Sequence, residues 1–516
     1  MRVGSLSFAA LYAALSALVV AQAKPSDAQT SCRPEDVLWL WKGALTPQSV
    51  AFKMGLRAGH ACKDRDFILH AFPTLENDHE KPHSTLGMCL SVGGEDDEFA
   101  QAKLCELDHL AYADRQYTYV LTFIPADKSV SNSVVRRGAF RTPPAMGVAS
   151  NFRFAFSSCA DEDSDPEVFR DIQRQRPLFF LHMGDLHYHN IDVHDVQRFR
   201  DGYHSIFASP SGKAMLEMDL PFAYMWDDHD YGPDNSDRTA PGRNASLQVY
   251  REMVPHYPLV SDDPDSAVHQ AFTIGRVRFL LTDLRSHRTP NLAPDVPSKT
   301  VLGAKQKKWF KEELVLATQD PEIGLIVWCS TMPWHDDERK WGHFTHEQRE
   351  LLNYMKAHGV NRWKQVVIVS GDAHMLAIDD GRHTPGNFTL FHAAALGRPG
   401  SVKGGPYSHG AMPGSGQYGI MDVQDDGKKV CLHFQGVRVG EGVVMEYDTC
   451  HPEKTPSNGT YYPPSIPVRK LTRAMKKARK YFSQLAVAAG VSVGLLLLLV
   501  WQWRRARAAA QLKKDR

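Results

Sequence analysis

Residues from about Pro34 to Pro144 run in short stretches where apolar and polar positions alternate. Val37-Leu38-Trp39-Leu40-Trp41, Ser49 to Met54 and Tyr117 to Phe123 are examples, each closed by turn residues. A period of two marks a half-buried strand, and no helical period is sustained, so the pattern predicts a small β-sandwich over 34–144. Arg141-Thr142-Pro143-Pro144 breaks the pattern and reads as its end. From Asn151 apolar strand-like runs alternate with helical ones, which predicts an α/β layer fold over 150–450. Strands are expected at Phe152–Ser157, Leu178–Met183, Phe222–Trp226, Val277–Thr282, Ile323–Cys329 and Val366–Ser370. Helices are expected at Glu167–Gln175, Val193–Phe207, Leu247–His256, Ala304–Thr318 and Glu347–His358. A β-rich piece follows to Cys450.

The two ends carry a different pattern. Met1 to Ala23 has Arg2, an apolar run and a closing Ala21-Gln22-Ala23, the form of a cleaved signal peptide. Leu485–Trp503 is uncharged and long enough to cross a bilayer as one helix, with Trp501 and Trp503 suited to the interface. The expectation is a single-pass membrane protein of the secretory pathway or cell surface. Its catalytic part would be extracellular or lumenal, and 504–516 a cytosolic tail. The segment 451–484 would then be a linker, rich in Pro and Ser over Thr455 to Pro467, followed by basic juxtamembrane residues. That basic part reads equally well as an amphipathic helix on anionic headgroups or as a solvated stalk. Glycosylation triplets begin at Asn244, Asn387 and Asn458.

The composition is that of a globular chain. Of 516 residues, 43% are hydrophobic and 23% charged, which excludes a disordered, collagen-like or coiled-coil protein. The formal charge of +1 conceals a basic end: Val468 to Arg516 has 13 basic residues and one acid, Asp515, so the body is acidic. An acidic body argues against nucleic acid as a partner. Of the eight cysteines, Cys32, Cys62, Cys89 and Cys105 can form two bridges, and Cys431 with Cys450 a third. Cys329 lies in an apolar run and reads as inert packing. Cys159 falls among polar residues.

Those polar residues gather just after the expected strands. The runs end in Ser157-Ser158-Cys159-Ala160-Asp161, Met183-Gly184-Asp185-Leu186-His187-Tyr188, Trp226-Asp227-Asp228-His229-Asp230 and Ser370-Gly371-Asp372-Ala373-His374. Carboxyl ends of strands are where open α/β sheets place their sites. Taken singly, each loop reads as a turn or a helix cap. Taken together, so many carboxylates, imidazoles, a phenol and a thiol would repel and desolvate one another without a compensating cation. A dinuclear metal centre accounts for the set.

With these loops in view, the chain resembles the calcineurin-like metallophosphoesterase superfamily, and within it the alkaline phosphatase D (PhoD-like) family. The departures carry the likeness: Ser158-Cys159 in place of Asp-x-His, Trp226-Asp227-Asp228-His229-Asp230 in place of Gly-Asn-His-Asp, and Gly371-Asp372-Ala373-His374 in place of Gly-His-x-His. Tyr188 stands three residues after Asp185. Thr282-Asp283-Leu284-Arg285, Leu302 to Gln306 and Gly138 to Pro143 extend the likeness.

The resemblance implies an αββα sandwich and a phosphoric ester hydrolase using a metal-activated water. It implies ferric iron on Cys159 and Tyr188, with Asp185 bridging to a second cation. That cation would be calcium, or else manganese or zinc, held by Asp228 and Asp372, with His374 completing the sphere. His229 would assist the leaving group. Arg285 would clamp the phosphate or else form an ordinary ion pair. A phosphodiesterase acting on lipid head groups or polymers is the alternative within the class. A non-catalytic cell-surface binding protein is the alternative outside it.

Overall fold

The computed structural model describes residues 32–450, apart from 58–61, 63–64, 76–82, 93–101, 125–132, 336, 338–339 and 363–364. Two sheets lie face to face. In the first, Phe152–Ser157, Phe180–His182 and Phe222–Tyr224 run parallel at the centre. Gln417–Asp425, Val430–Arg438 and Gly442–Cys450 extend that sheet antiparallel from Phe152–Ser157. In the second, Val277–Thr282, Leu325–Ser330, Gln365–Ser370 and Thr389–Ala393 run parallel. Their sequences explain their place: strands such as Leu325–Ser330 and Gln365–Ser370 are buried along their whole length, as strands covered on both faces must be.

The inner faces share a core rich in aromatic rings. Phe154 meets Phe279 edge to face at 5.4 Å, and Phe179 meets Phe272 at 5.7 Å, in the geometry aromatic quadrupoles favour. Outside the second sheet, helices Gly303–Gln319 and Thr345–Ala357 cover Trp328, Trp334 and Trp341. Outside the first, Pro166–Arg174, Val196–Ala208, Pro210–Glu217 and Arg243–Met253 do the same. Caps start these helices where expected: Asp165 accepts from the amide of Glu167, and Asp195 from those of Gln197 and Arg198. The layers are therefore helix, sheet, sheet, helix.

The amino-terminal strands, from Val37–Gly43 to Ser133–Arg141, form a β-sheet domain around Phe52, Phe67, Tyr117, Tyr119 and Phe140. This domain continues the first sheet rather than standing apart, because Gly43 pairs in parallel with Phe222. Trp41 seals the joint, with its ring edge to face on Phe222 at 5.7 Å. Disulfides join Cys32–Cys62, Cys89–Cys105 and Cys431–Cys450, leaving Cys159 and Cys329 free and buried. Asn244 and Asn387 are both exposed.

One expectation is corrected. No helix among the described residues is long and apolar enough to cross a membrane. The longest, Gly303–Gln319, has 17 residues and carries four lysines and two glutamates, short of the ~20 apolar residues a span needs. The transmembrane helix is therefore withdrawn from the fold. With it go the membrane as partner and the single-pass extracellular or lumenal placement. The segments that suggested them lie outside the described residues, namely 1–23, 451–484, 485–503 and 504–516. Asn458 also lies there.

Candidate metal centre

Four strand ends converge on one carboxylate. Asp185 follows Phe180–His182 and is buried. Its Oδ2 lies 3.5 Å from the Cys159 sulfur and accepts the Tyr188 hydroxyl at 3.2 Å. Its Oδ1 accepts the amide of His229 at 3.3 Å. The Tyr188 oxygen is in turn 3.5 Å from Nε2 of His374. Nδ1 of His374 is 2.7 Å from the carbonyl of Pro399, which can only accept, so Nδ1 carries the hydrogen and the Nε2 lone pair faces the tyrosine. Cys159, Asp185, Tyr188 and His374, named from the sequence, thus come together.

The remaining carboxylates form a second cluster beside the first. One ligand atom each from Asp185, Asp228 and His229 lies within 4.8 Å of the others, and the same holds for Asp227, Asp228 and Asp372. Asp228 opens the short helix Asp228–Tyr231, and its Oδ2 accepts the amide of Asn235 at 2.5 Å. The amide of Asp372 is held by Ser158 Oγ at 3.1 Å, so the last loop is fastened to the first. His229 Nδ1 is 2.6 Å from Asn190 Oδ1, its Nε2 is 3.6 Å from Asp234, and its ring lies 4.0 Å from that of Tyr188. A cavity of about 420 Å³ opens over both clusters, lined by Asp185, Tyr188, Asp228, His229, Asp372 and His374 among others.

The backbone is strained at this point. Cys159, Asp185 and Asp372 have φ of 63°, 53° and 68°, a left-handed conformation that costs a non-glycine residue about 1–2 kcal/mol. Gly184 (φ 87°) shows why the turn is tight: a Cβ there would stand 2.4 Å from the amide nitrogen of Asp227. The three strained residues all stand in the strand-end loops that meet at this cluster.

The electrostatics fit a cation. Burial pushes the Asp185 carboxyl up, and Asp228 and Asp227 add to it. Burial and the Asp185 charge push the Cys159 thiol and the Tyr188 phenol up as well. Protein alone therefore opposes ionisation of all three, and a hard, highly charged ion in contact with them would reverse that. Two buried cations pair with the carboxylates directly. Arg285, 1% exposed, pairs with Asp227, lies 3.1 Å from Asp228 and 3.8 Å from Asp372, and Lys340 pairs with Asp372. Burial raises Asp228, but Arg285 and His229 outweigh it and leave the group lowered. Burial also opposes Asp372, yet Lys340 and Lys403 hold it below the usual range.

Sequence reasoning gave no part to Asp227, Asp230, Lys340, Arg398 or Lys403. Asp227 and Asp230 flank residues that were named, so the motif itself held the signal. Lys340, Arg398 and Lys403 sit on long connections whose patterning points nowhere in particular.

A family model described as PhoD-like phosphatase matches residues 154–399. The chain belongs to the PhoD-like phosphatase family, within the calcineurin-like metallophosphoesterase superfamily. It is a phosphoric ester hydrolase, and the aspartate and histidine clusters are a candidate metal site of that family. Among solved structures, a purple acid phosphatase from yellow lupin (Lupinus luteus) seeds is similar in fold. Its TM-score is 0.53 at 12% identity, over 80% of this chain and 73% of that one. A β-glucuronidase of Bacteroides uniformis aligns at 8% identity over 80% of this chain and 60% of its own, with a TM-score of 0.27, too slight to bear on the fold. No curated protein matches the sequence.

Proposed function

We propose that this PhoD-like chain is a metal-dependent phosphatase whose centre holds two cations. The observation that carries this reading is the meeting of Cys159, Tyr188 and His374 around the single carboxylate of Asp185. Thiolate, phenolate and carboxylate together suit ferric iron. Asp185, Asp228 and Asp372 offer oxygen ligands for a second ion such as calcium, with manganese or zinc as substitutes. Such a pair, when bound, supplies Lewis-acid charge for the phosphoryl oxygens and a water acidic enough to act near neutral pH.

The chain's own residues do the rest. Asp185 joins the two clusters, and His374 is oriented by Pro399. Arg285 and Lys340 pair with carboxylates from beneath the cavity, and in this reading Arg285 serves as an ion-pair partner rather than a phosphate clamp. His229 is held at Nδ1 by Asn190, so Nε2 is turned to the cavity near Asp234, where it can pass a proton to a departing oxygen. We take 34–144 and 150–450 as the two parts of the chain, the second carrying the centre.

The test is metal content and p-nitrophenyl phosphate turnover of purified wild type, Asp185→Ala and Cys159→Ala. Wild type should contain iron and a second metal and turn the ester over. Each variant should lose metal and at least about a thousandfold of rate while keeping its circular dichroism spectrum. Full turnover by metal-stripped Asp185→Ala would end the reading.

A further inference from the structure

The cavity over the metal cluster is lined by basic as well as acidic side chains. Arg285 and Lys340 pair with Asp227, Asp228 and Asp372 from below. Two further cations, Arg398 and Lys403, line the cavity itself. Both stand on the segment that follows Thr389–Ala393, and that segment is fastened to the site. The amides of Leu396 and Gly397 bond the carbonyls of Ser158 and Cys159 at 3.0 and 3.1 Å, and the amide of Ser401 bonds the carbonyl of His374 at 2.9 Å. A Cβ at Gly397 would stand 1.8 Å from Ser164 Oγ, so the chain passes close just before Arg398. The Tyr407 hydroxyl holds the carbonyl of Lys403 at 2.9 Å. These cations are placed by backbone rather than left on a loose loop.

Their side chains suit an anion. The Arg398 guanidinium lies over the Tyr188 ring at 4.2 Å and gives one nitrogen to Asp161 at 2.7 Å. Its Nε is buried without a hydrogen-bond partner among the described residues. A guanidinium has five donors in a fixed fork, which matches two oxygens of a phosphate. Lys403 lines the same cavity as Asp372 and His374. The cavity, at about 420 Å³, has room for more than one phosphoryl group.

We propose that Arg398 and Lys403 form a second anion subsite that takes a further phosphoryl group of the substrate, so that the chain prefers esters carrying two phosphoryl groups to monophosphates. This rests on the phosphatase reading above and names its substrate class. The reacting phosphoryl sits over the metal cluster. The second is held by the Arg398 guanidinium and the Lys403 ammonium.

The experiment measures how glucose 1,6-bisphosphate and glucose 1-phosphate compete with p-nitrophenyl phosphate on the metal-loaded chain. Wild type should bind the bisphosphate roughly tenfold or more tightly than the monophosphate, the worth of one or two charge-assisted contacts. In Arg398→Gln/Lys403→Gln that ratio should fall close to one, and Arg398→Lys should keep part of it. A wild-type ratio near one overturns the subsite, as does a double variant that weakens both sugars equally. If wild type does not hydrolyse p-nitrophenyl phosphate at all, the phosphatase reading fails. The same ratio is then taken by calorimetry with the two sugars and judges the subsite by the same limits.

Discussion

The Asp230 carboxylate receives the backbone amide of Asp185 at 2.6 Å. It also takes the amides of Leu186 at 2.6 Å, Asp227 at 3.0 Å and His187 at 3.4 Å, so one buried side chain fastens two loops of the candidate metal centre together. Asp230 is not among the residues that line the cavity over the clusters. Its work is to fix the main chain on either side of Asp185. Asp230→Ala leaves four buried amides without this acceptor, each worth about 1–3 kcal/mol when orphaned. The expected outcome is a loss of about 3 kcal/mol or more in urea unfolding, together with weaker metal retention on dialysis. An unchanged unfolding midpoint would show that the amides find other partners.

How far this centre could be read in advance follows from where its signals lie. Phe152–Ser157 and Val277–Thr282 have the bounds their apolar runs suggested, because each run is closed by polar residues. Leu178–Met183 shrinks to Phe180–His182, since the pairing with Phe222–Tyr224 covers only three residues. Met375–Asp379 and Thr389–Ala393 were not separated, because both are wholly buried and carry no alternation to count. The strand-end loops announced Cys159, Asp185, Asp228 and Asp372 by their chemistry. Lys340 and Arg398 reach the same place through contacts far along the chain with Asp372 and Asp161, and no local pattern encodes such contacts.

The cysteines divide into a bonded and a free set that can be counted. Cys89 stands opposite Cys105, and Cys431 opposite Cys450, on neighbouring antiparallel strands, while Cys32 pairs with Cys62. Unfolding the unreduced protein should release two thiols to Ellman's reagent, from Cys159 and Cys329, and reduction should raise the count to eight. Breaking Cys431–Cys450 with a paired alanine substitution should cost about 2–4 kcal/mol of stability. More than two thiols before reduction would contradict the pairing.

Acid should weaken the fold through its buried histidines. His182 is fully buried between Phe180 and Tyr224, and neither ring nitrogen has a hydrogen-bond partner among the described residues. Burial lowers its pKa to about 3, against an ordinary value of 6.5. Because the folded value is the lower, the unfolded chain takes up the proton first as pH falls. Stability is therefore intact above about pH 6.5 and is lost progressively from there toward pH 3. Two pH units into that window the single group accounts for about 2–3 kcal/mol. His182→Leu, of similar volume and unable to charge, should flatten this limb of the unfolding free energy between pH 6.5 and 4.5 while leaving the neutral-pH value within about 1.5 kcal/mol. Because parent and variant differ at this one residue, the difference between their two curves isolates His182. Parallel curves would mean that His182 takes its proton as readily in the folded protein as in the unfolded chain.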